Sequence, residues 1–570
     1  MRVIATAGHV DHGKSTLIRL LTGMEPDRWA EERRRGLTID LGFAWTTLPG
    51  GPVAFVDVPG HERFTTNMLA GVGPVPAAML VVAADEGWMP QSAEHLAALD
   101  GLGVRHGLLV VTRADLADPG PALVEARGHL AGTSLHGVRS VAVSGRTGEG
   151  LDGLRAALDE VARALPEPDP AADVRLWVDR SFTVRGAGTV VTGTLGAGTV
   201  SVGDELELGG RRVPVRGLQS LGEPVERVGG VARVAVNLRG VERDQVGRGD
   251  ALLTPGAWPA VRELDVRLSA PEVPARLVLH VGSAAVPAHV RPLGAGTARL
   301  VLARPLPLRA GDRGLLRDPG LHRIAAGVVV LDVRPPALDR RGAARLRGLD
   351  LTGDVAASHL RHRGLVTARE LRSLGFDDAG VPVGEWRADP DHWAELVRRA
   401  PEAVAAWRAE QPLAAGMPAD VLARRLDVPA ELVAAVVDQA GLRLVDGRVP
   451  TTAALPAPVE RAVAAVEADL ARSPFAAPDA NRLAGLGLGP RELAAAVRVG
   501  RLVRVADGVV LAPDAPRRAA AVLADLPAPF TAGQAKAALG TTRRVALPLL
   551  ELLDSLGLTR RLPDDTRVVR

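Results

Sequence analysis

The residues Gly8, His9, Val10, Asp11, His12, Gly13, Lys14, Ser15 and Thr16 carry the pattern G-x-x-x-x-G-K-S. They follow an apolar run, "RVIATA", and open a helical one, which is the setting a phosphate-cradling loop requires. Glycines let backbone N–H groups turn inward around phosphate oxygens, and the helix N-terminus adds its dipole. Lys14 offers a compact cation to β- and γ-phosphates, and Ser15 offers a hydroxyl to Mg²⁺. The 570 residues include two lysines, and Lys14 is one of them. An arginine fork is too bulky and too rigid to curl inside such a loop, so an arginine-rich chain keeps lysine there.

Asp57-Val58-Pro59-Gly60 ends a second apolar run, "VAFVDV". The Asp57 carboxylate can hold Mg²⁺ through water, and the Gly60 N–H can meet a γ-phosphate. Thr38, in "RRRGLTID", lies between the two motifs, where a loop sensing γ-phosphate belongs, and its hydroxyl would complete the metal shell. The strand "GLLVV" ends in Thr112-Arg113-Ala114-Asp115. Asp115 can accept from guanine N1–H and N2–H₂, a donor pair that adenine lacks. Ser144-Gly145-Arg146 can present a backbone N–H to guanine O6. Guanine sites of this kind usually carry Asn-Lys where this chain has Thr112-Arg113. The hydroxyl of Thr112 in place of an amide predicts a lost contact, and the Arg113 stem is expected beneath the base. GTP and GDP with Mg²⁺ are the expected ligands.

These residues need a scaffold. Residues 1–168 alternate the strands "RVIATA", "VAFVDV", "AMLVVAA", "GLLVVT" and "SVAVS" with helical stretches such as Lys14–Leu21 and Ala93–Leu102. That alternation predicts a parallel sheet covered by helices, and with the phosphate loop and the guanine-reading acid it makes an α/β P-loop GTPase domain the expectation for these residues. "LPEPDPAADV" reads as a linker. Short Val- and Leu-rich runs between glycine turns then predict two antiparallel β-barrels, over 169–258 and 259–336. Residues 337–570 are helix-rich, with a recurring helix-turn-helix and two-strand tail. They predict about four tandem winged-helix modules, the last at 516–570. The chain is therefore multidomain.

Composition sets outer limits. Apolar content of 47% and charge of 24% suit a soluble globular protein, and no apolar run approaches the ~20 residues that span a membrane. The absence of cysteine excludes disulfides and thiolate metal sites. The first strand starts at Arg2, which leaves no room for a leader, so the expected place is the cytoplasm, with no membrane partner. Net charge is +3 although the pI is about 10.1, because without Tyr, Cys and nearly without Lys little titrates below arginine. Any nucleic-acid argument must rest on local patches.

Taken together, "GHVDHGKSTL", "RRRGLTID", "DVPGHERF" and "DRSFTVRGAGTVVTGTL" resemble the translational GTPases related to elongation factor Tu, over about the first 335 residues. The resemblance implies that His61 positions or activates the water that attacks γ-phosphate, with Val10 and Leu37 as an apolar gate around it. The further ~235 residues of winged helices look like those of the selenocysteine-specific elongation factors of bacteria. That likeness implies delivery of selenocysteinyl-tRNA to the ribosome at recoded UGA codons marked by an mRNA hairpin (SECIS), by a monomeric factor. Asp179, Arg180 and Arg233 match positions with which the family recognises the selenocysteinyl group. A selenol is largely ionised at neutral pH, so guanidinium groups favour it over a serine hydroxyl. From Arg517 onward there are nine basic and five acidic residues. Arg543 and Arg544 are expected to begin the helix facing the hairpin, with Arg560, Arg561 and Arg567 on the wing. The alternatives are a general elongation or initiation factor with an unrelated appendage, and a nucleotide-regulated DNA-binding winged-helix protein.

Overall fold

Six strands form the first sheet in a computed structural model that describes residues 1–570 apart from 27–37, 39, 74, 378 and 451–454. They are β1 (Arg2–Ala7), β2 (Gly42–Leu48), β3 (Gly51–Asp57), β4 (Ala77–Ala83), β5 (His106–Thr112) and β6 (Arg139–Ala142), in the order β2-β3-β1-β4-β5-β6. All pairs are parallel except the β2–β3 hairpin. Strands apolar on both sides need cover on both faces. Val3, Ala5 and Ala7 of β1 enter one core, and Ile4 enters the other, as the two-residue period demands. Helices α2 (Thr65–Val72), α3 (Pro90–Gly101) and α4 (Pro119–Leu130) cover the first face. Helices α1 (Lys14–Thr22) and α5 (Leu151–Ala164) cover the second. The helix expected from Ala93 starts three residues earlier, with Pro90 in its first turn, where no N–H is required. The loops after β1, β3, β5 and β6 hold the Gly8–Ser15 loop, Gly60, Asp115 and Ser144, at the carboxyl edge where open α/β sheets bind ligands.

Two antiparallel barrels follow. The first is built from β7 (Arg175–Val184), β8 (Gly188–Leu195), β9 (Thr199–Ser201), β10 (Glu205–Leu208), β11 (Arg211–Ser220), β12 (Glu223–Val225), β13 (Arg227–Gly229), β14 (Ala232–Leu238) and β15 (Ala251–Leu253). Its main sheet runs β10-β15-β7-β8-β14-β11-β12, and a further β10–β11 pairing returns the sheet onto itself. The second is a closed barrel of β16 (Ala260–Leu268), β17 (Arg276–Val281), β18 (Ala284–Gly294), β19 (Thr297–Pro307), β20 (Arg313–Asp318) and β21 (Arg323–Asp332). Trp258 lies at their junction between the guanidinium groups of Arg175 and Arg309, 4.2 and 3.8 Å from its ring centre. Each arginine is also ion-paired, to Asp312 and Asp173, which fixes the barrels to one another.

Helices α6 (Ala343–Asp350), α7 (Val355–Arg363) and α8 (Ala368–Leu374) come next, with three short strands β22 (Leu365–Thr367), β23 (Val381–Val383) and β24 (Trp386–Ala388). A buried network holds α6 to the second barrel: Arg347 pairs with Asp265 and Asp332, and Arg299 with Asp265. Removing one member of such a network leaves a buried charge without its partner, at a cost of about 3–5 kcal/mol. All of this belongs to one unit, Met1–Asp389.

The second unit, Pro390–Arg570, repeats a helical cluster closed by a two-stranded ribbon. Its first repeat has α9 (Pro390–Glu410), α10 (Ala419–Leu426), α11 (Val433–Gln439) and the pair β25 (Gly416–Pro418) and β26 (Arg448–Pro450). The second has α12 (Ala457–Arg472), α13 (Ala480–Gly485), α14 (Pro490–Arg498), β27 (Val503–Ala506) and β28 (Val509–Leu511). The third has α15 (Ala515–Ala524), α16 (Ala532–Ala538), α17 (Arg543–Ser555), β29 (Thr559–Arg561) and β30 (Arg567–Val569). The last two share one apolar core, from Val466 and Leu511 to Phe530 and Leu550. Among the described residues no helix is long and apolar enough to cross a membrane.

Candidate functional site

The loop between β1 and α1 is shaped by residues with positive φ: Gly8 at 131°, Asp11 at 64° and Gly13 at 81°. A Cβ on Gly8 would lie 2.2 Å from the Val81 carbonyl oxygen, so glycine is required on two counts. The Gly8 N–H donates to Nδ1 of buried His95, at 2.9 Å. Nδ1 must therefore be bare and the proton sits on Nε2. Burial, with the nearby charges of Lys14 and His9, pushes His95 down to about 3, which keeps that tautomer at neutral pH. His12 is buried too, its Nδ1 3.3 Å from the Val81 oxygen. Its Nε2 approaches Glu86 at 3.3 Å, but burial pushes the ring down to about 4, so at pH 7 this is a contact to a neutral imidazole and not an ion pair. His9, half-buried, is lowered by burial and by Lys14. His12 and His95 are thus neutral imidazoles at pH 7. Among the described residues no group of His, Cys, Asp and Glu is arranged to hold a metal.

Lys14 is 6% exposed, and its Nζ donates to the carbonyls of Gly8 and His9 at 3.0 and 2.6 Å. Burial lowers it to about 8 against the pull of Asp57 and Asp11. Gly60 lies against the same loop, since a Cβ there would come 2.5 Å from Lys14 Nζ and 2.6 Å from the Val10 nitrogen. Val10 is half-buried; Leu37, its expected partner in an apolar gate, lies outside the described residues. His61 is half-buried beside Phe64, and its Nδ1 accepts from the Arg63 N–H at 3.2 Å. Thr16 is exposed on the first turn of α1, within reach of Gly145.

Ser15, Thr38 and Asp57 meet. Ser15 Oγ donates to Asp57 Oδ2 at 2.7 Å and lies 3.1 Å from Thr38 Oγ1. Its one hydrogen is used on Asp57, so Thr38 is the donor in the second contact. Thr6 of β1, a residue the sequence did not mark, donates to Asp57 Oδ1 at 2.7 Å and accepts from the Val58 N–H at 3.1 Å. Asp57 is 0% exposed, and burial raises its pKa despite the bonds from Ser15 and Thr6 and the charge of Lys14. One buried carboxylate with the hydroxyls of Ser15 and Thr38, an all-oxygen donor set, fits a small hard cation such as Mg²⁺.

At the base end, Thr112 Oγ1 donates to the His12 carbonyl at 2.8 Å and ties β5 to the loop after β1. The Arg113 head is committed elsewhere, to Asp85 and Glu86 at 2.9 and 2.7 Å and to the Asp11 carbonyl. Asp115 receives Ser144 Oγ at 2.6 Å and Arg146 Nε at 2.8 Å. Those two bonds hold its carboxyl below the usual range. The loop of Ser144, Gly145 and Arg146 thus faces Asp115 through side chains.

Asp179, Arg180 and Arg233 come together on the first barrel, around Phe43 of β2. Arg233 stacks on the Phe43 ring at 3.8 Å and grips Asp179 with both nitrogens, while Thr192 Oγ1 adds a bond to Asp179 at 2.8 Å. Arg180 lies 5.8 Å from the same ring and pairs with Asp40 at 2.9 Å. A cavity of about 160 Å³ opens between them, lined also by Phe182, Gln219 and Trp45. Phe43, Asp40 and His95 escaped the sequence reading because no spacing rule links them to their partners, which lie 87 to 208 residues away.

The arginines of the last repeat part company. Arg543 at the start of α17 and Arg560 on β29 are exposed. Arg544 donates to the Pro478 carbonyl at 2.7 Å, and Arg561 pairs with Asp565. Arg567 corrects the expectation of a wing contact: it is 5% exposed and bonded to Asp554 of α17 at 2.9 Å, so it anchors the ribbon to the helix and offers nothing to RNA.

Known families match three stretches of the chain. Residues 1–164 match the elongation factor Tu GTP binding domain, 272–337 the β-barrel domain of selenocysteine-specific elongation factor, and 521–568 the winged helix of elongation factor SelB. The selenocysteine-specific elongation factor of Desulfomicrobium baculatum is 38% identical over 402 residues, covering 65% of this chain and 63% of the relative. The chain thus spans just under two thirds of that protein's length. The same factor from Haemophilus influenzae is 34% identical over 430 residues, covering 70% of this chain and 68% of the relative. The crystal structure of a bacterial selenocysteine-specific elongation factor superposes over 100% of both chains, with a TM-score of 0.75 at 25% identity. A GTP-binding domain, a β-barrel and a winged helix, each matched in chain order, place this chain in the selenocysteine-specific elongation factor family.

Proposed function

We propose that the chain binds GTP with Mg²⁺, carries selenocysteinyl-tRNA to the ribosome, and hydrolyses the nucleotide on correct decoding at a UGA codon. Ser15, Thr38 and Asp57 would hold the metal, which when bound neutralises charge on the transferring phosphoryl group. Lys14 holds the β- and γ-phosphates, and Gly60 presents its N–H to the γ-phosphate from the same loop face. His61, its ring fixed through Nδ1, meets the attacking water with Nε2. Asp115 reads guanine, with the loop of Ser144, Gly145 and Arg146 beside it. The exposed Arg543 and Arg560, with Arg544 and Arg561 beside them, bind the backbone and splayed bases of an mRNA hairpin. The factor works as a monomer in the cytoplasm, where its ribosomes are.

The observation that carries this reading is the pair of guanidinium groups, Arg180 and Arg233, at one aromatic ring beside a small cavity. Arg180 and Arg233 are the charged residues that line this cavity, while the carboxylates that pair with them, Asp40 and Asp179, lie outside its lining, so the cavity presents positive charge. An ionised selenol balances it, and a neutral serine hydroxyl does not. The test is equilibrium binding of selenocysteinyl-tRNA and seryl-tRNA on the same tRNA body, with a GTP analogue present. Preference for the selenocysteinyl form by tenfold or more is expected, and equal affinities refute the reading.

A further inference from the structure

Arg248 sits in the turn before β15 and sends its three guanidinium nitrogens to three different parts of the molecule. Nε donates to the Asp179 carbonyl of its own barrel at 2.9 Å. One terminal nitrogen donates to Asp40 Oδ1 at 2.7 Å, two residues after Thr38. The other donates to Asn67 Oδ1, on α2, which follows His61 after one short turn. The backbone that carries this fork is itself pinned. The Gly249 N–H donates to the Val178 carbonyl at 3.0 Å, and Arg304 of the second barrel donates to the Gly249 carbonyl at 2.9 Å. The arginine is therefore a fixed point, and what it holds are the two segments that flank the phosphate end of the nucleotide site.

Asp40 is shared. Its Oδ1 takes Arg248 and its Oδ2 takes Arg180 at 2.9 Å, and Arg180 also donates to the Leu41 carbonyl at 3.1 Å. Asp179 is engaged on both oxygens by Arg233 and on one also by Thr192, so the side-chain counter-ion of Arg180 is Asp40. The orientation of Arg180 thus depends on where the Thr38 loop lies.

We propose that Arg248 is a positioning residue that clamps the Thr38 loop and the helix after His61 onto the first barrel, so that release of the γ-phosphate is felt at Arg180. This rests on the proposed function only in requiring that Thr38 and Gly60 respond to the γ-phosphate. When Thr38 lets go, Asp40 is carried off, Arg180 loses its partner and the turn at 242–250 loses its tie to Asp40; when Gly60 lets go, the turn's tie to Asn67 is loosened as well. A planar fork reaches all three acceptors at once, and a lysine ammonium on a flexible stem cannot.

The experiment is hydrogen exchange on the full chain, loaded with a non-hydrolysable GTP analogue or with GDP, for the wild type, Arg248→Ala and Arg248→Lys. Affinity for fluorescent GTP analogue and GDP is measured alongside. In the wild type, peptides covering residues 242–250 should exchange at least fivefold faster with GDP than with the analogue. Arg248→Ala should abolish that difference while the protein still binds both nucleotides, with the preference for analogue over GDP shifted by no more than the coupling lost, and Arg248→Lys should restore only part of it. An exchange difference absent from the nucleotide-loaded wild type, or undiminished in Arg248→Ala, overturns the proposal while leaving the function intact. A wild-type chain that binds no guanine nucleotide refutes the proposed function, and this inference with it.

Discussion

Replacing Lys14 by methionine should do two opposite things. The ammonium is charged at pH 7 in the folded and unfolded chain alike, but in the fold it is buried and lowered from 10.5 to about 8. That gap is worth roughly 3 kcal/mol of destabilisation at 1.36 kcal/mol per pH unit. The folded state binds fewer protons than the unfolded one between about pH 8 and 10.5, so the cost is present in full below 8 and disappears as pH rises through that window. Methionine has a similar length and no charge. It forfeits the bonds to the Gly8 and His9 carbonyls, about 1 kcal/mol each, which leaves a net gain of about 1 kcal/mol in the nucleotide-free protein. With nucleotide the sign reverses. Two charge-assisted bonds to phosphate, about 1.5–3 kcal/mol each, are lost, and affinity should fall by roughly 10² to 10⁴. Lys14→Arg should also lose binding, because Gly60 and Val10 leave no room beside Nζ for a three-nitrogen fork. Titration with fluorescent GTP and thermal unfolding without nucleotide at pH 7 measure the two effects. A Lys14→Met protein that is less stable than wild type when empty, or that binds GTP within tenfold of it, refutes the reasoning.

The two arginines of the last wing should separate cleanly. Arg567→Ala should destabilise the Pro390–Arg570 unit by about 1–3 kcal/mol, since it leaves half-buried Asp554 with the Thr559 hydroxyl but without its cation. Arg560→Ala should leave the melting point unchanged but weaken hairpin binding and lower its salt slope by about 1; gel shifts at several salt concentrations decide. His280, buried in the second barrel, is pushed down to about 4 by burial and by Arg317. The folded chain therefore binds fewer protons there below 6.5, and stability should fall as pH drops from about 6.5 to 4, by up to about 3 kcal/mol. Thermal midpoints between pH 7 and 4.5 should depend less on pH in His280→Leu than in the wild type.

Much of the candidate site was legible in the chain because its parts are local. A phosphate loop is a strand end, a glycine bend and a helix start, all within fifteen residues, and the acid-Pro-Gly turn at Asp57 is equally compact. Fold class followed for the same reason: the period of the apolar residues and the places of the glycines are properties of short windows. The barrel cluster was half visible. Asp179 and Arg180 stood out by their motif, while Phe43 and Asp40, which the structure brings to them from the first domain, carry no local mark.

The sequence alone determined the order of domains, the phosphate loop with its single lysine, and the acids and hydroxyls able to serve a nucleotide. It did so because backbone geometry and binary patterning act over a few residues. Folding was needed to decide that Thr112 bonds back to His12, that Arg113 turns away to Asp85 and Glu86, and that Arg567 is an anchor. It also decided that one arginine, Arg248, gathers both sides of the site. An arginine's role is set by which carboxylate it meets, and the carboxylates in question lie from 13 to 208 residues away. In a chain where nearly every cation is arginine, residue type cannot tell a structural pair from a binding group; burial and partner can.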